Sequence, residues 1–245
     1  VLHIFNKPVS GNLKRLLILI LTCLPIIGFS QKQKPKNDPA YDKKPLHFGF
    51  TIGLNTMDFT VYHSEKYQQD SLYADVSQLH PGFNIGIVSN LKLAEYFDLR
   101  FLPGISFGQR NLHYYKNKIL CDYGIQKIES SFLEFPLLVK YKSKRINNFR
   151  PFLIGGGNYR IDLAARKDYD EAKNRYVRLK RSDLYYEIGF GIDFYLKYFK
   201  FTTELKLAVG LRDVLVHEPA SGHPRFVNAI DILKSNLLIL SFHFE

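Results

Sequence analysis

Residues 182–211 read SDLYYEIGFGIDFYLKYFKFTTELKLAVGL. Leu184, Tyr186, Ile188, Phe190, Ile192 and Phe194 fall on one side of an extended chain, with Glu187, Gly189, Gly191 and Asp193 on the other. After a short break the pattern resumes. Phe199, Phe201, Leu205, Leu207, Val209 and Leu211 oppose Lys200, Glu204, Lys206 and Arg212. Two strands joined by a tight turn are the direct reading. A face bearing glycine and mid-strand charges of both signs suits a narrow interior better than an open surface. The apolar face, five or six positions long, is longer than most soluble strands need.

Six further segments after Pro45 share this period of two: HFGFTIGLN, PGFNIGIVS, YFDLRFLPGISFGQ, SFLEFPLLVKY, RPFLIGGGNYRIDL and NLLILSFHF. The three glycines of the fifth segment along the chain, RPFLIGGGNYRIDL, leave its register open. Connections between the eight segments alternate, from about 25 residues to about half a dozen and back. That rhythm and the strand lengths predict an all-β, eight-stranded antiparallel outer-membrane β-barrel, with short periplasmic turns and long extracellular loops. A soluble β-sandwich would expose an ordinary polar face, and a lipocalin-like barrel would turn its apolar face inward.

The start of the chain points the same way. Lys14 and Arg15 precede LLILILTCLPIIGFS, and Gly28 and Ser30 suit a peptidase site, so residues 1–30 read as a secretory signal peptide. Residues 31–46, rich in Lys and Pro, read as a basic periplasmic linker, and 47–245 as the barrel. Without residues 1–30, 31 basic residues face 23 acidic ones and Cys121 is the remaining cysteine, so no internal disulfide is expected. Export argues against a nucleic-acid partner, leaving outer-membrane lipids as the expected surroundings.

In a barrel of eight strands the interior is wide enough only for side chains. Asp98, Arg100, Glu134, Lys140, Glu187, Asp193, Lys200, Glu204, Lys206 and Arg212 are therefore expected to neutralise one another as a lumen ion-pair network. Tyr96, Tyr141, Tyr195 and Tyr198 read as interfacial anchors. Cys121 falls in the second long loop. His217 and His223 lack the i,i+4 spacing of a helical zinc motif, GGGN at 155–158 lacks the residues of a phosphate loop, and no nucleophile elbow occurs. No enzyme, cofactor or metal is expected. The basic third loop, with Arg178, Lys180 and Arg181, and the tail, with Tyr41, Lys43 and Lys44, are candidate partner-contact regions.

Four stretches carry a family resemblance: YDKKPLHFGFTIGLNTMDF at 41–59, FLEFPLLVKYKS at 132–143, RPFLIGGGNY at 150–159 and YYEIGFGIDFYLKYFKFTTELK at 185–206. FLEFPLLVKY and RPFLIGGG are general to related barrels; KPLHFGFTIGLN followed by MDF resembles the PorT family of Bacteroidota, called SprT in gliding bacteria. The resemblance implies an outer-membrane component required for type IX protein secretion, and in gliding species for motility, with other secretion components as partners. It implies an accessory or assembly role and no catalytic residues. The competing readings are a small channel or transport protein and a structural or adhesion barrel.

Overall fold

The computed structural model describes residues 36–37, 39, 41–64, 72–76, 80–116, 119–165, 176–218 and 224–245. The proposed signal peptide lies outside them. They carry ten strands: β1 Leu46–His63, β2 Leu72–Asp75, β3 Pro81–Lys92, β4 Phe97–Phe101, β5 Gly104–Lys116, β6 Ile119–Lys142, β7 Phe149–Asp162, β8 Ser182–Tyr195, β9 Lys200–Gly210 and β10 Ile230–Phe244. A short helix, α1, spans Pro224–Asn228. The pairing order runs β1-β10-β9-β8-β7-β6-β4-β3, and β1 also pairs with β3, so the sheet closes on itself. β4 and β5 both pair with β3 on one side and β6 on the other, and together make one stave. The result is an antiparallel barrel of eight staves.

The break in that stave is a proline effect. Pro103 has no N–H to give a ladder; its carbonyl accepts from Ile87 N at 2.9 Å, and Leu102 N reaches Pro136 O at 3.3 Å. The alternation keeps its phase across the break, with Arg100 and Ser106 both buried. β3 stops at Pro81, and β2 continues its column, pairing with β5 from Leu72↔Lys116 to Asp75↔His113. On its other side Ala74 O lies 2.9 Å from His63 Nε2 of β1.

The expected second long loop is instead strand. β5 and β6 extend as a hairpin paired as far as Lys116↔Ile119, so Cys121 sits on β6, packed at the edge of an apolar cluster. Alternating residues such as Leu112 and Tyr114 carry the ladder past the apolar belt. Short connections 93–96, 143–148 and 196–199 gather at one end, and longer ones at the other.

The outward residues form that belt. Phe50 and Phe190 are more than half exposed, as are Ile87, Leu137, Leu153 and Ile188. Their pairing is aromatic in places: Phe50 stacks on Phe244 at 4.9 Å, and Phe83 meets Phe107 at 4.9 Å. At the long-loop end the interior becomes apolar. Phe59, Leu112, Tyr114, Tyr176, Phe226 and Leu233 belong to one buried cluster, with Phe226 stacked 5.4 Å from Tyr176. The third and fourth loops join over it through the Leu179↔Leu215 bridge and Lys180 N→Val214 O at 2.7 Å.

Candidate functional site

The inward side of β6 gives the barrel's contents in order from the long-loop end: Ser130, Phe132, Glu134, Leu138, Lys140 and Lys142, all buried. Polar and apolar layers therefore alternate down the axis. Near the short-turn end, Arg100 pairs with Glu204 at 3.0 Å and with Glu245 at 3.3 Å, and Lys200 holds Glu245 at 2.7 Å. Lys140 pairs with Asp193 at 2.7 Å, and Lys142 with Asp98 at 2.5 Å. Higher up, Arg160 bridges Glu134 at 3.3 Å and Glu187 at 2.9 Å, and Lys206 closes on Glu187 at 2.9 Å. Above these an apolar layer of Met57, Phe132, Tyr185, Ala208, Leu237 and Ile239 crosses the interior.

Nine of the ten lumen residues named from sequence are brought together here: Asp98, Arg100, Glu134, Lys140, Glu187, Asp193, Lys200, Glu204 and Lys206. Arg212 is not. β9 ends at Gly210, so Arg212 leaves the interior with an exposed side chain, and its backbone N–H donates to Asp183 Oδ1 at 3.4 Å. Sequence reasoning missed Arg160, Lys142, His243 and Glu245. Arg160 lay beyond the glycines of β7, which hid the register; counting one residue on from Tyr159, which faces outward, gives it. Arg110 was also missed, and it is a different case. Its guanidinium donates to Ser235 Oγ and to Ser130 Oγ and lies 4.0 Å over the Phe59 ring.

A polar cavity among Thr51, Asn84, Gly86, Glu134, Lys206 and His243 measures about 20 Å³, room for no solute larger than a water molecule. Among the described residues no group of three His, Cys, Asp or Glu is arranged to hold a metal ion.

Within the segment expected to be a basic periplasmic linker, Asn37, Tyr41 and Asp42 are docked on the barrel. Residues Tyr41–Lys43 form a single helical turn under the short-turn mouth. Tyr41 stacks on His47 at 3.9 Å, and its hydroxyl donates to Glu245 Oε2 at 2.9 Å. Burial, and then the charge of Glu245, push the Tyr41 phenol far above its usual value, so it stays protonated. Asp42 pairs with Arg150 at 3.2 Å and Arg145 at 3.4 Å, and its carbonyl accepts from Lys92 Nζ at 2.6 Å. Asn37 N–H donates to Asn148 Oδ1 at 2.8 Å, and Asn37 Nδ2 to Tyr195 O at 3.0 Å. Tyr41 is thus spent on an internal contact instead of presented to a partner. Its sequence, aromatic then acidic, matches a mouth lined by arginines. Lys44 is exposed, and the Lys43 side chain lies outside the description.

Tyr195 also departs from expectation. It points inward beneath Arg145, whose guanidinium lies 3.7 Å over its ring, because the inward parity of Glu187 and Asp193 continues to it. Tyr141 and Tyr198 do face outward. In the third loop, Arg178 pairs with Glu218 at 2.9 Å and Lys180 with Asp213 at 3.5 Å, both tying it to the fourth, while Arg181 is exposed.

The family comparison agrees with this architecture. The outer membrane protein beta-barrel domain family matches residues 29–216. OprG from Pseudomonas aeruginosa aligns at 12% identity over 87% of this chain and 97% of its own, with a TM-score of 0.48. Ail of Yersinia pestis, solved with the heparin analogue sucrose octasulfate, aligns at 12% over 80% and 96%, with a TM-score of 0.34. AlkL, determined in DMPC lipid bilayers, aligns at 10% over 89% and 96%, with a TM-score of 0.39. The search of curated proteins finds no match. With apolar residues outside, ion pairs inside and a family match over most of its length, the chain sits in the lipid of the outer membrane and belongs to the outer membrane protein beta-barrel domain family.

Proposed function

We propose that this barrel is a non-enzymatic accessory of type IX protein secretion, working through its surfaces and not through a pore. The observation that carries the reading is the filled interior: among the described residues, two polar layers of paired charges, an apolar layer across the axis and an apolar cluster under the loops occupy the lumen. A conduit or a nutrient channel needs an open lumen. The resemblance of the KPLHFGFTIGLN segment and the following MDF to the PorT family supplies the secretion system; the occlusion supports assembly or scaffolding within it.

The test uses a strain lacking this gene and a reporter carrying a type IX C-terminal signal. The expected result is reporter trapped in the periplasm and exported again on complementation. Normal export in the deletion strain removes the secretion role. Planar-bilayer recordings of the purified barrel separate the rival: no conductance steps are expected, and steady steps would favour a channel.

A further inference from the structure

The periplasmic mouth is organised around Asn37, Tyr41 and Asp42, yet the barrel does not depend on them for its ladder. The β1–β3 register begins at Leu46↔Leu91, after the docked turn, so Tyr41 and Asp42 supply no rung of the wall. What holds them is a set of side chains fixed by the barrel itself. Asn147, at φ 53°, turns the 143–148 connection so that its carbonyl accepts from Arg145 Nε at 3.0 Å. Asn148 takes a second bond from Arg145 at 3.0 Å through Oδ1, and its carbonyl accepts from Tyr195 N at 2.8 Å. The Arg145 guanidinium is then clamped flat on the Tyr195 ring. These contacts are made between barrel residues and do not involve the tail.

The charges are matched to one kind of ligand. Among the described residues, Asp42 is the carboxylate ion-paired with both Arg145 and Arg150. Among the described residues the buried Arg150 Nε has no hydrogen-bond partner, which leaves the pair suited to a second acceptor oxygen. Beside them is a slot bounded by the flat face of His47, the edge of Tyr195 at 5.6 Å and the Lys200 ammonium 4.8 Å from the Tyr41 ring. At its floor Glu245 accepts a hydroxyl proton donor. An aromatic hydroxyl followed directly by a carboxylate satisfies all of these at once.

We infer that the mouth is a peptide receptor for a tyrosine followed by an acidic residue, that Asn37, Tyr41 and Asp42 occupy it in cis, and that a periplasmic segment of the same chemistry competes for it in trans. Tethering adds to these contacts: a short connection gives the cis segment an effective concentration on the order of millimolar. A trans segment meets a site that is free only for the fraction of time the strap is off, and its apparent affinity falls by that fraction. The inference concerns binding alone and stands or falls independently of the secretion role.

The test is fluorescence anisotropy of a labelled peptide spanning residues 36–45, KNDPAYDKKP, titrated with the full barrel in detergent or nanodiscs. The Tyr41→Ala/Asp42→Ala barrel should bind the peptide about tenfold more tightly than the native barrel, from the effective-concentration argument above. The milder Asp42→Asn barrel should fall between them, so the series does not rest on one variant. Adding Arg145→Ala to the double variant should abolish binding, as should replacing Tyr and Asp in the peptide. Equal binding to native and strap-weakened barrels, or none to any folded strap variant, overturns the inference. Binding that persists without Arg145 overturns it as well.

Discussion

Lys140 on β6 and Asp193 on β8 meet across the intervening stave, with Nζ 2.7 Å from both carboxylate oxygens and 3.7 Å above the Phe152 ring of β7. Thr202 Oγ1 donates to the same carboxylate at 2.7 Å. The pair pins three staves together from the inside. Removing one member leaves the other charged in a dry interior, whereas removing both leaves an apolar gap that neighbours can fill. Lys140→Met should therefore cost about 3–5 kcal/mol, and Lys140→Met with Asp193→Leu much less. Urea unfolding in lipid vesicles, with migration on unheated gels as readout, measures both; equal losses would mean that the pair acts through packing and not charge.

The three glycines of β7 are not equivalent. A methyl on Gly156 would run into Leu137 O and lie 2.9 Å from Leu138 Cα, backbone that cannot yield without parting β6 from β7. On Gly155 it would meet nothing closer than 3.6 Å, and on Gly157 nothing closer than 3.9 Å. Gly156→Ala is expected to destabilise by about 1–3 kcal/mol, and Gly155→Ala and Gly157→Ala to be neutral or slightly favourable. The same unfolding assay ranks the three.

Asp213 holds the loop roof to the barrel. Its Oδ1 accepts from Leu233 N at 2.9 Å and Leu215 N at 3.1 Å, and its Oδ2 faces His217 Nε2 at 2.8 Å. Burial opposes its charge, but the Leu233 amide, His217 and the Leu215 amide outweigh it and hold the carboxyl below the ordinary range. A depressed carboxyl contributes its full stabilisation above the unfolded value of about 4, and loses it as pH falls through the lower folded value. Amide exchange or limited proteolysis of residues 211–218 should show constant protection from neutral pH down to about 4 and opening below. Asp213→Asn should remove that acid dependence.

Depth along the wall sets the cost of a charge. Phe190 and Ile188 lie in the middle of the apolar belt, while Thr60, hydrogen-bonded to Asn236 at 2.6 Å, marks its outer rim. Phe190→Arg should cost about 2–4 kcal/mol and Thr60→Arg about 0–1 kcal/mol. Equal costs would place the membrane plane elsewhere on the barrel.

Alternation made the wall legible before any coordinate was known, because a period of two fixes which face each residue joins, and nine of ten lumen charges followed from it. Arg212 failed because alternation cannot say where a strand stops. Tyr41 failed for a different reason: its partners, Glu245, His47 and Tyr195, lie far apart in the chain and near it only in space. The layering of the interior was also hidden. Leu237 and Ile239 look like more of the outer belt in the run NLLIL, yet they point inward and help form the apolar layer above the ion pairs. The β5–β6 hairpin reads as loop from sequence because the strands on either side already suffice to cross the hydrocarbon, although the ladder continues beyond them to Lys116↔Ile119.

The seam between β1 and β10 joins opposite ends of the sequence, Phe50 opposite Phe244. Every other wall pairing links consecutive staves. Chain entropy makes the β1–β10 contact the slowest to find. Until it forms, both strands are open edges whose amides and carbonyls have no partner in hydrocarbon. Folding of this protein in its membrane is consequently a problem of sheltering two edges until they meet, and its rate should respond most strongly to changes along that single seam.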